Sequence, residues 1–113
     1  MTVSEQTTAD ILDKLYEVIQ KRKGEDPETS YTASLLAKAP EKPARKLSEE
    51  TTELLIEAIR ADKDAMVQES ADLLYHLLVV WAAADIDARA VWSVLKEREA
   101  QSGLEEKASR SEG

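Results

Sequence analysis

Two groups of carboxylates in the middle of the sequence have the spacing of a shared metal site. Glu50 and Glu53 lie three residues apart, and so do Glu69 and Asp72, which brings each pair to one face of a helix. Glu49 precedes Glu53 by four residues and joins the first pair. The fifteen residues between Glu53 and Glu69 suffice to end one helix and begin an antiparallel neighbour. The pattern therefore predicts four or five carboxylates around one point.

A cluster of this kind favours a bound cation, because neighbouring carboxylates repel one another unless a positive charge neutralises them. Carboxylate oxygens are hard ligands, so the sequence predicts Mg²⁺, with Mn²⁺ as an alternative. The competing interpretation is a solvated acidic face that binds no metal. That interpretation suits Glu57 well and Glu49 tolerably.

Asp72 is the acid that a solvated face explains least well. Glu69, Asp72 and His76 fall within a stripe roughly 60° wide on a helix. The same stripe continues into Val79, Val80 and Ala83. These residues belong to the run Ala71 to Ala84, which is apolar on nearly every side and should be mostly buried. Burial of an unpaired carboxylate costs several kcal/mol of free energy. We therefore expect Asp72 to face the core and to bind the metal there.

His76 has two interpretations. A lone histidine on an apolar helix is usually a hydrogen-bonded core residue. Its position one turn after Asp72 supports the alternative, in which it donates a hydrogen bond to an acid that holds the metal. A zinc site built on His76 is disfavoured, since the chain has one histidine and no cysteine.

The length and charge of the chain narrow its class. With 113 residues we expect a single domain over residues 1–113, with a core at about 8–101 and a flexible tail at 104–113. The net charge of −8 argues against binding to a nucleic-acid backbone, which requires a basic surface. It is compatible with a small nucleotide substrate whose phosphates bind through a metal.

Several features point to the cytoplasm. The longest apolar run, about 14 residues, is too short to span a membrane, so no membrane partner is expected. The first ten residues lack the basic and apolar regions of a signal peptide. The absence of cysteine excludes a disulfide framework.

The pattern of apolar residues, caps and breakers predicts an all-α fold with four main helices and one short helix. The expected elements run from Thr7 or Thr8 to about Lys23 before Gly24, from Ser30 to Leu36, from the Pro40 and Pro43 turn to Arg60 or Ala61, from Asp62 or Asp64 to Ala84, and from Asp87 to about Gln101. Trp81 and Trp92 should pack between the last two helices or at a dimer contact, and Val91, Trp92 and Leu95 should be buried. One copy buries only a thin core, which favours a homodimer.

Three further groups could contact phosphates, and each has a simpler explanation. Arg22 and Lys23 lie at a helix C-terminus, where they complement the helix dipole. The hydroxyls of Ser30, Tyr31 and Thr32 open a short helix, where capping is the simpler role. Lys46 precedes Glu49 by three residues and can form an ion pair within the helix.

Taken together, these residues resemble the all-α nucleoside triphosphate pyrophosphohydrolases, the MazG-like superfamily. Within it they are most similar to the phosphoribosyl-ATP pyrophosphohydrolases of histidine biosynthesis. The resemblance covers roughly residues 8 to 100 and rests on four segments: Val18-Ile19-Gln20-Lys21-Arg22-Lys23, Ser30-Tyr31-Thr32, Lys46-Leu47-Ser48-Glu49-Glu50, and Glu69 through Val79, ESADLLYHLLV. The acidic pattern indicates the superfamily, and the Ser-Tyr-Thr and ADLLYHLLV segments indicate the histidine-pathway branch.

The resemblance implies roles for individual residues. Glu50, Glu53, Glu69 and Asp72 would bind Mg²⁺, with Glu49 in the cluster; Lys46, Arg22 and Lys23 would contact phosphates; and Ser30, Tyr31 and Thr32 would line the substrate. One of Glu49, Glu50 and Glu53 would orient or deprotonate the attacking water, and the sequence does not indicate which of the three. Ser48 stands where the family often has glycine. The added side chain could change the local geometry, but the substitution removes no metal ligand.

The expected activity is hydrolysis of the bond between the α- and β-phosphates of phosphoribosyl-ATP, giving phosphoribosyl-AMP and pyrophosphate. No serine or cysteine nucleophile with a paired base is visible, which fits direct attack by water. Two alternatives stay open from the sequence. One is a house-cleaning pyrophosphohydrolase for another nucleotide, and the other is a non-catalytic helical dimer whose acids are solvated or ion-paired.

Overall fold

The structure, a computed structural model, describes residues 7–101. Five α-helices account for the regular structure of this range, and it contains no strand, which confirms the all-α prediction of four main helices and one short one. They are α1 (Asp10–Lys21), α2 (Tyr31–Leu36), α3 (Glu41–Arg60), α4 (Lys63–Ala83) and α5 (Ala88–Glu99). The predicted flexible tail, 104–113, lies outside the described residues.

The helix boundaries follow local capping chemistry. Side-chain oxygens of Ser30, Asp62 and Asp87 accept backbone N–H groups at the starts of α2, α4 and α5, at 3.1, 3.0 and 2.9 Å. These bonds satisfy donors that have no partner within the helix, so each start is well defined. The first helix is shorter than predicted, because Arg22 already closes it and Gly24 takes a left-handed conformation with φ of 81°.

A two-residue turn makes α3 and α4 antiparallel neighbours. Ala61 caps α3 in the left-handed region, with φ of 59°, and the N–H of Asp62 donates to the carbonyl of Glu57. Asp62 then caps α4 directly. Since so short a connection leaves no room for another arrangement, the second half of α3 must lie along the first half of α4. These two helices form the most extensive helix pair in the described structure.

The core lies around the second half of α4. Leu78, Val79 and Ala82 are almost completely buried and pack with Tyr16 and Ile19 of α1, Leu35 of α2 and Ala88 at the start of α5. Trp81 contacts Trp92 edge to face, with ring centroids 5.7 Å apart, which confirms packing of the two tryptophans between α4 and α5. Val91 and Trp92 pack against the core but are only half-buried, and Leu95 is 53% exposed, so the predicted burial of Leu95 is wrong.

The first half of α4 differs from the expected buried helix. Val67 and Leu74 are 48% and 41% exposed, and on α3 the neighbouring Leu55, Ile56 and Ile59 are at least as open. The reason is that α1, α2 and α5 pack on the second half of α4, so that within residues 7–101 the first half lies mainly against α3. No helix within residues 7–101 is long and apolar enough to cross a membrane.

Candidate active site

The α3–α4 pair brings three of the predicted metal ligands to one point. Glu50 of α3 and Glu69 and Asp72 of α4 each offer a carboxylate oxygen, and these oxygens lie within 4.8 Å of one another. Glu53, the fourth predicted ligand, is exposed on α3 one turn after Glu50, and it is close enough to Glu50 and Glu69 to raise the pKa of both. The four acids of the E-x-x-E and E-x-x-D pattern therefore form one cluster, as the antiparallel hairpin requires.

The carboxylates hold their protons unusually strongly. The hydrogen bond with Glu53, followed by desolvation and by repulsion from Glu53, Asp72 and Glu50, raises the pKa of Glu69 to about 7. Burial is the main cause that raises the pKa of Glu50, and the hydrogen bond with Glu53 adds to it. Both shifts arise because like charges crowd into a partly desolvated space. A cation in the cluster would remove this repulsion.

The structure corrects the expected position of Asp72. Its side chain is exposed, whereas Glu50 is the buried acid with only 8% exposure. Asp72 precedes the part of α4 that α1 and α2 cover, so its face of the helix meets solvent. Glu50, in contrast, points from α3 toward α4 beneath His76. The carboxylate whose burial costs the most free energy is therefore Glu50 of α3, and not Asp72 of α4.

Unsatisfied polar atoms mark the same place. Glu50 Oε2 and Glu69 Oε2 are inaccessible to solvent and make no hydrogen bond that meets standard geometry. Buried carboxylate oxygens without donors are rare in folded proteins, because their desolvation is uncompensated. Together with Asp72 they form an all-oxygen donor set, which suits Mg²⁺ or Mn²⁺. The residues present thus fit a hard divalent cation.

His76 is buried at the inner edge of this cluster. Its Nε2 lies 3.8 Å from Glu50 Oε1, and its Nδ1 is buried with no hydrogen-bond partner. Burial is the main cause that lowers the pKa of His76, and the positive charge of Lys46 acts in the same direction. The simple expectation of a hydrogen-bonded core histidine is therefore wrong for Nδ1. The neutral imidazole faces the acid that is most buried.

Lys46 and Glu49 form an ion pair at the N-terminal side of the cluster. Lys46 Nζ donates to Glu49 Oε2 at 2.9 Å, as the ion-pair interpretation predicted. This contact lowers the pKa of the Glu49 carboxyl, and Glu49 is exposed rather than directed into the cluster. Ser48, the position that departs from the family glycine, is exposed on an unbroken stretch of α3.

The start of α2 approaches the site from the side of His76. The Tyr31 ring is 55% exposed and meets His76 edge to face at 6.4 Å, and Thr32 shares a hydrogen bond between hydroxyls with Tyr75. Ser30 caps α2, which is the simpler of its two predicted roles. Sequence reasoning did not single out Tyr75, which also contacts His76 at 4.9 Å.

Arg22 and Lys23 lie away from the acid cluster. Arg22 pairs with Glu25 at 3.2 Å, and Lys23 pairs with Asp85 at 2.8 Å. Asp85 follows Asp72 by thirteen residues, roughly 20 Å along α4. Within one copy of the chain these two cations therefore do not join the acids, and each already has a carboxylate partner.

Glu57 was expected to be a solvated acid, and that expectation is wrong. Its side chain is 15% exposed and forms an ion pair with Arg60 at 3.3 Å. The two residues border a cavity of about 210 Å³ whose other lining residues are Glu53, Ile56 and Glu69. The spacing of seven residues after Glu50 could have indicated this placement, since Glu50, Leu54 and Glu57 lie on one side of α3.

Comparison with known proteins gives a consistent result. The model of the phosphoribosyl-ATP pyrophosphohydrolase family matches residues 12–99. The chain is 54% identical over 103 residues to a phosphoribosyl-ATP pyrophosphatase of Azospirillum brasilense, covering 91% of this chain and 93% of that protein. It is 54% identical over 99 residues to one of Paracoccus denitrificans, covering 88% and 92%, and 49% identical over 100 residues to one of Cereibacter sphaeroides, covering 88% and 97%.

Proposed function

The chain belongs to the phosphoribosyl-ATP pyrophosphohydrolase family, and from this membership we infer its reaction. It hydrolyses phosphoribosyl-ATP to phosphoribosyl-AMP and pyrophosphate, a step of histidine biosynthesis. The observation that carries this conclusion is the near-complete match to relatives named for the activity, at 54% identity over 91% of the chain. The matched range, residues 12–99, contains every acid of the cluster.

The acid cluster is the proposed magnesium site. Glu50, Glu53, Glu69 and Asp72 would hold the cation, with Mn²⁺ as an alternative. The support is the convergence of oxygens within 4.8 Å, the unsatisfied oxygens of Glu50 and Glu69, and the raised pKa values of these two acids. A cation bound there would neutralise phosphate charge and make a bound water more acidic.

The reaction needs one water and one proton acceptor. The water oxygen forms a bond to phosphorus, the bridging bond between the α- and β-phosphates breaks, and pyrophosphate leaves with the electron pair of that bond. Glu49, Glu50 and Glu53 are the proposed residues for orienting the water or accepting its proton. Electrostatics favour Glu50 over Glu49, because Lys46 lowers the pKa of Glu49 while burial raises that of Glu50.

Lys46 is the best-placed cation for the polyphosphate. It lies beside Glu49 at the edge of the cluster and is close enough to affect the titration of His76. Tyr31 and Thr32 would line the nucleoside side, and Ser30 would support them as the cap of α2. Contacts of Arg22 and Lys23 with phosphates stay a prediction, which requires their ion pairs to open or a second copy of the chain to supply them.

His76 is proposed to position Glu50 rather than to bind substrate. Its Nε2 faces Glu50 Oε1 at 3.8 Å, and both side chains are at least nine-tenths buried. A small inward shift of either group would form a hydrogen bond from the imidazole N–H to the carboxylate. Such bonds fix the orientation of acids that hold metals, and they raise metal affinity.

A homodimer is proposed from the apolar surface of α3 and α4. Leu55, Ile56, Ile59, Val67 and Leu74 are all more than 40% exposed in one copy. Val67 and Leu74 line a shallow groove of about 560 Å³ whose other lining residues also belong to α4. A second copy of the same helix pair would bury these side chains and complete a larger bundle.

Light scattering tests the dimer. The wild type should be a dimer and Ile59→Glu a smaller species, and a monomeric wild type would contradict the proposal. A cytoplasmic location stays a prediction.

The decisive assay mixes the purified protein, Mg²⁺ and phosphoribosyl-ATP and measures released pyrophosphate. A panel of ordinary and damaged nucleoside triphosphates is assayed in parallel. We expect the highest kcat/KM for phosphoribosyl-ATP. Turnover of another triphosphate with no activity on phosphoribosyl-ATP would overturn the assignment.

A further inference from the structure

A second charged cavity lies at the N-terminal end of α3. Its volume is about 510 Å³, and it opens where the residues after α2 meet the first two turns of α3. The lining residues are Ala37, Lys38, Ala39, Glu41, Lys42 and Arg45. Three cations thus face one acid, in a chain whose net charge is −8.

The three cations have no carboxylate partner in the part of the chain that the structure describes. Among the described residues 7–101, no acid lies within ion-pair distance of Lys38, Lys42 or Arg45, although Arg45 is near enough to help lower the pKa of Glu49. Arg22 and Lys23, the cations that the sequence suggested for phosphates, are each neutralised by an acid. Unpaired positive charge that converges on a cavity is suited to an anion.

The basic cavity and the acid cluster lie on one stripe of α3. Lys42, Lys46 and Glu50 follow one another at intervals of four residues, which places them on the same side of the helix. Lys42 and Glu50 are therefore about 12 Å apart along the axis, roughly two turns. Lys46 lies between them and is close to both Tyr31 and Glu50.

The substrate of the proposed function has two anionic ends. One is the triphosphate, and the other is the phosphate monoester on the second ribose, which the purine and both pentoses separate from it. We propose that Lys38, Lys42 and Arg45 bind this monoester of phosphoribosyl-ATP while the triphosphate lies at the acid cluster. The exposed ring of Tyr31, beside Lys46 and His76, is then available to the purine.

The chemistry of the cavity suits a phosphate monoester. Such a group carries a charge of about −1.5 to −2 near neutral pH and has three strong acceptor oxygens. Arg45 can contact two of these oxygens, and the lysines supply further charge-assisted hydrogen bonds. Because ATP lacks this monoester, the cavity would determine which nucleotide the enzyme prefers. This inference rests on the proposed function, which it deepens by locating the phosphoribosyl end.

The test is a double substitution, Lys42→Ala with Arg45→Ala, compared with a matched control, Lys14→Ala with Lys96→Ala. Both pairs remove two positive charges, and the control residues are exposed on α1 and α5. KM and kcat for phosphoribosyl-ATP are measured together with the inhibition constant of ATP. We expect the first variant to raise KM about tenfold or more, since charged hydrogen bonds are lost. Its kcat and the ATP inhibition constant should stay within about twofold, and the control should match the wild type.

An unchanged KM overturns the proposal, and so does a parallel rise of KM and of the ATP inhibition constant, which would mean that the cavity binds the polyphosphate. If the double variant unfolds at a lower temperature than the wild type, the single variants Lys38→Gln and Lys42→Gln are measured instead.

A second experiment needs no turnover: ribose 5-phosphate is titrated into the wild type and its binding is followed by NMR. Shifts confined to 37–46 are expected, and their absence overturns the proposal even where the enzyme is active. If the wild type leaves phosphoribosyl-ATP intact but shows these shifts, the proposed function fails and the anion site stands.

Discussion

The two halves of α4 have opposite properties. In the second half, Leu78, Val79 and Ala82 are buried by three other helices and form the centre of the core. In the first half, Glu69 and Asp72 face α3 and solvent, and Val67 is exposed, as is Leu74 just after the middle of the helix. One helix thus contributes to the core at one end and to the acid cluster at the other. The first half also contains Glu69 Oε2, a buried oxygen that has no hydrogen-bond partner among the described residues.

The largest expected effect concerns the acid end. Asp72→Asn should lower kcat/KM about a thousandfold or more, because it removes a proposed metal ligand and with it several kcal/mol of transition-state stabilisation. The metal-free protein should be at least as stable as wild type, since repulsion of Glu50 and Glu69 by Asp72 is relieved. Melting curves with and without Mg²⁺ test this, and stabilisation by Mg²⁺ should be much smaller in the variant.

Asp64→Asn, an exposed acid in the first turn of the same helix, is the control for charge. It should retain the activity and the Mg²⁺ response of the wild type. A structural role for Asp72 would give the reverse pattern, with lost stability, an unchanged Mg²⁺ response and activity that falls only with the folded fraction.

Substitutions in the second half of α4 should lower the stability of the protein rather than its activity. Leu78 is 1% exposed, so Leu78→Ala should cost about 3 kcal/mol of unfolding free energy through lost burial and a residual cavity. Chemical denaturation of the metal-free protein measures this cost. At temperatures where the variant is folded, its KM and apparent Mg²⁺ affinity should equal those of the wild type. A loss of Mg²⁺ affinity in folded Leu78→Ala would show that the two halves of α4 are coupled.

His76 lies at the boundary between the halves, and its substitution should affect metal binding moderately. His76→Ala removes the imidazole beside Glu50 and should weaken Mg²⁺ binding by about ten- to a hundredfold, as expected for a partner of a metal ligand. His76→Gln retains an N–H donor and should recover part of the affinity. Calorimetric titration with Mg²⁺ compares the two. Equal affinity in wild type, Ala and Gln variants would leave His76 a packing residue only.

The smallest effect is a dependence on pH at the acid end. With a pKa raised to about 7, Glu69 keeps a proton in the folded state that the unfolded chain has already released above its usual pKa near 4.5. The metal-free protein should therefore lose stability as pH rises from about 4.5 to 7, and Glu69→Gln should flatten this slope. Apparent Mg²⁺ affinity should increase over the same window, because binding displaces the proton. Thermal melts and Mg²⁺ titrations across this range test both trends.

Local signals in the sequence predicted the helices well. Asp62, Asp87 and Ser30 cap their helices because a side-chain oxygen next to free N–H groups acts over a few residues only. The meeting of Glu50 with Glu69 and Asp72 was also predictable, since helical spacing and a short connection leave few geometries. The family followed from the same segments.

Only the tertiary structure decided which face of each helix is covered. The apolar character of α4 predicted burial throughout, yet α1, α2 and α5 cover just its second half, so Asp72 is exposed and Glu50 is buried. For the same reason Leu95 is open, while Glu57 is covered by the contact between α3 and α4. Folding also brings Lys23 to Asp85, and it groups Lys38, Lys42 and Arg45 around one cavity. A sequence pattern specifies the apolar and charged sides of a helix, but burial depends on which other helices pack there.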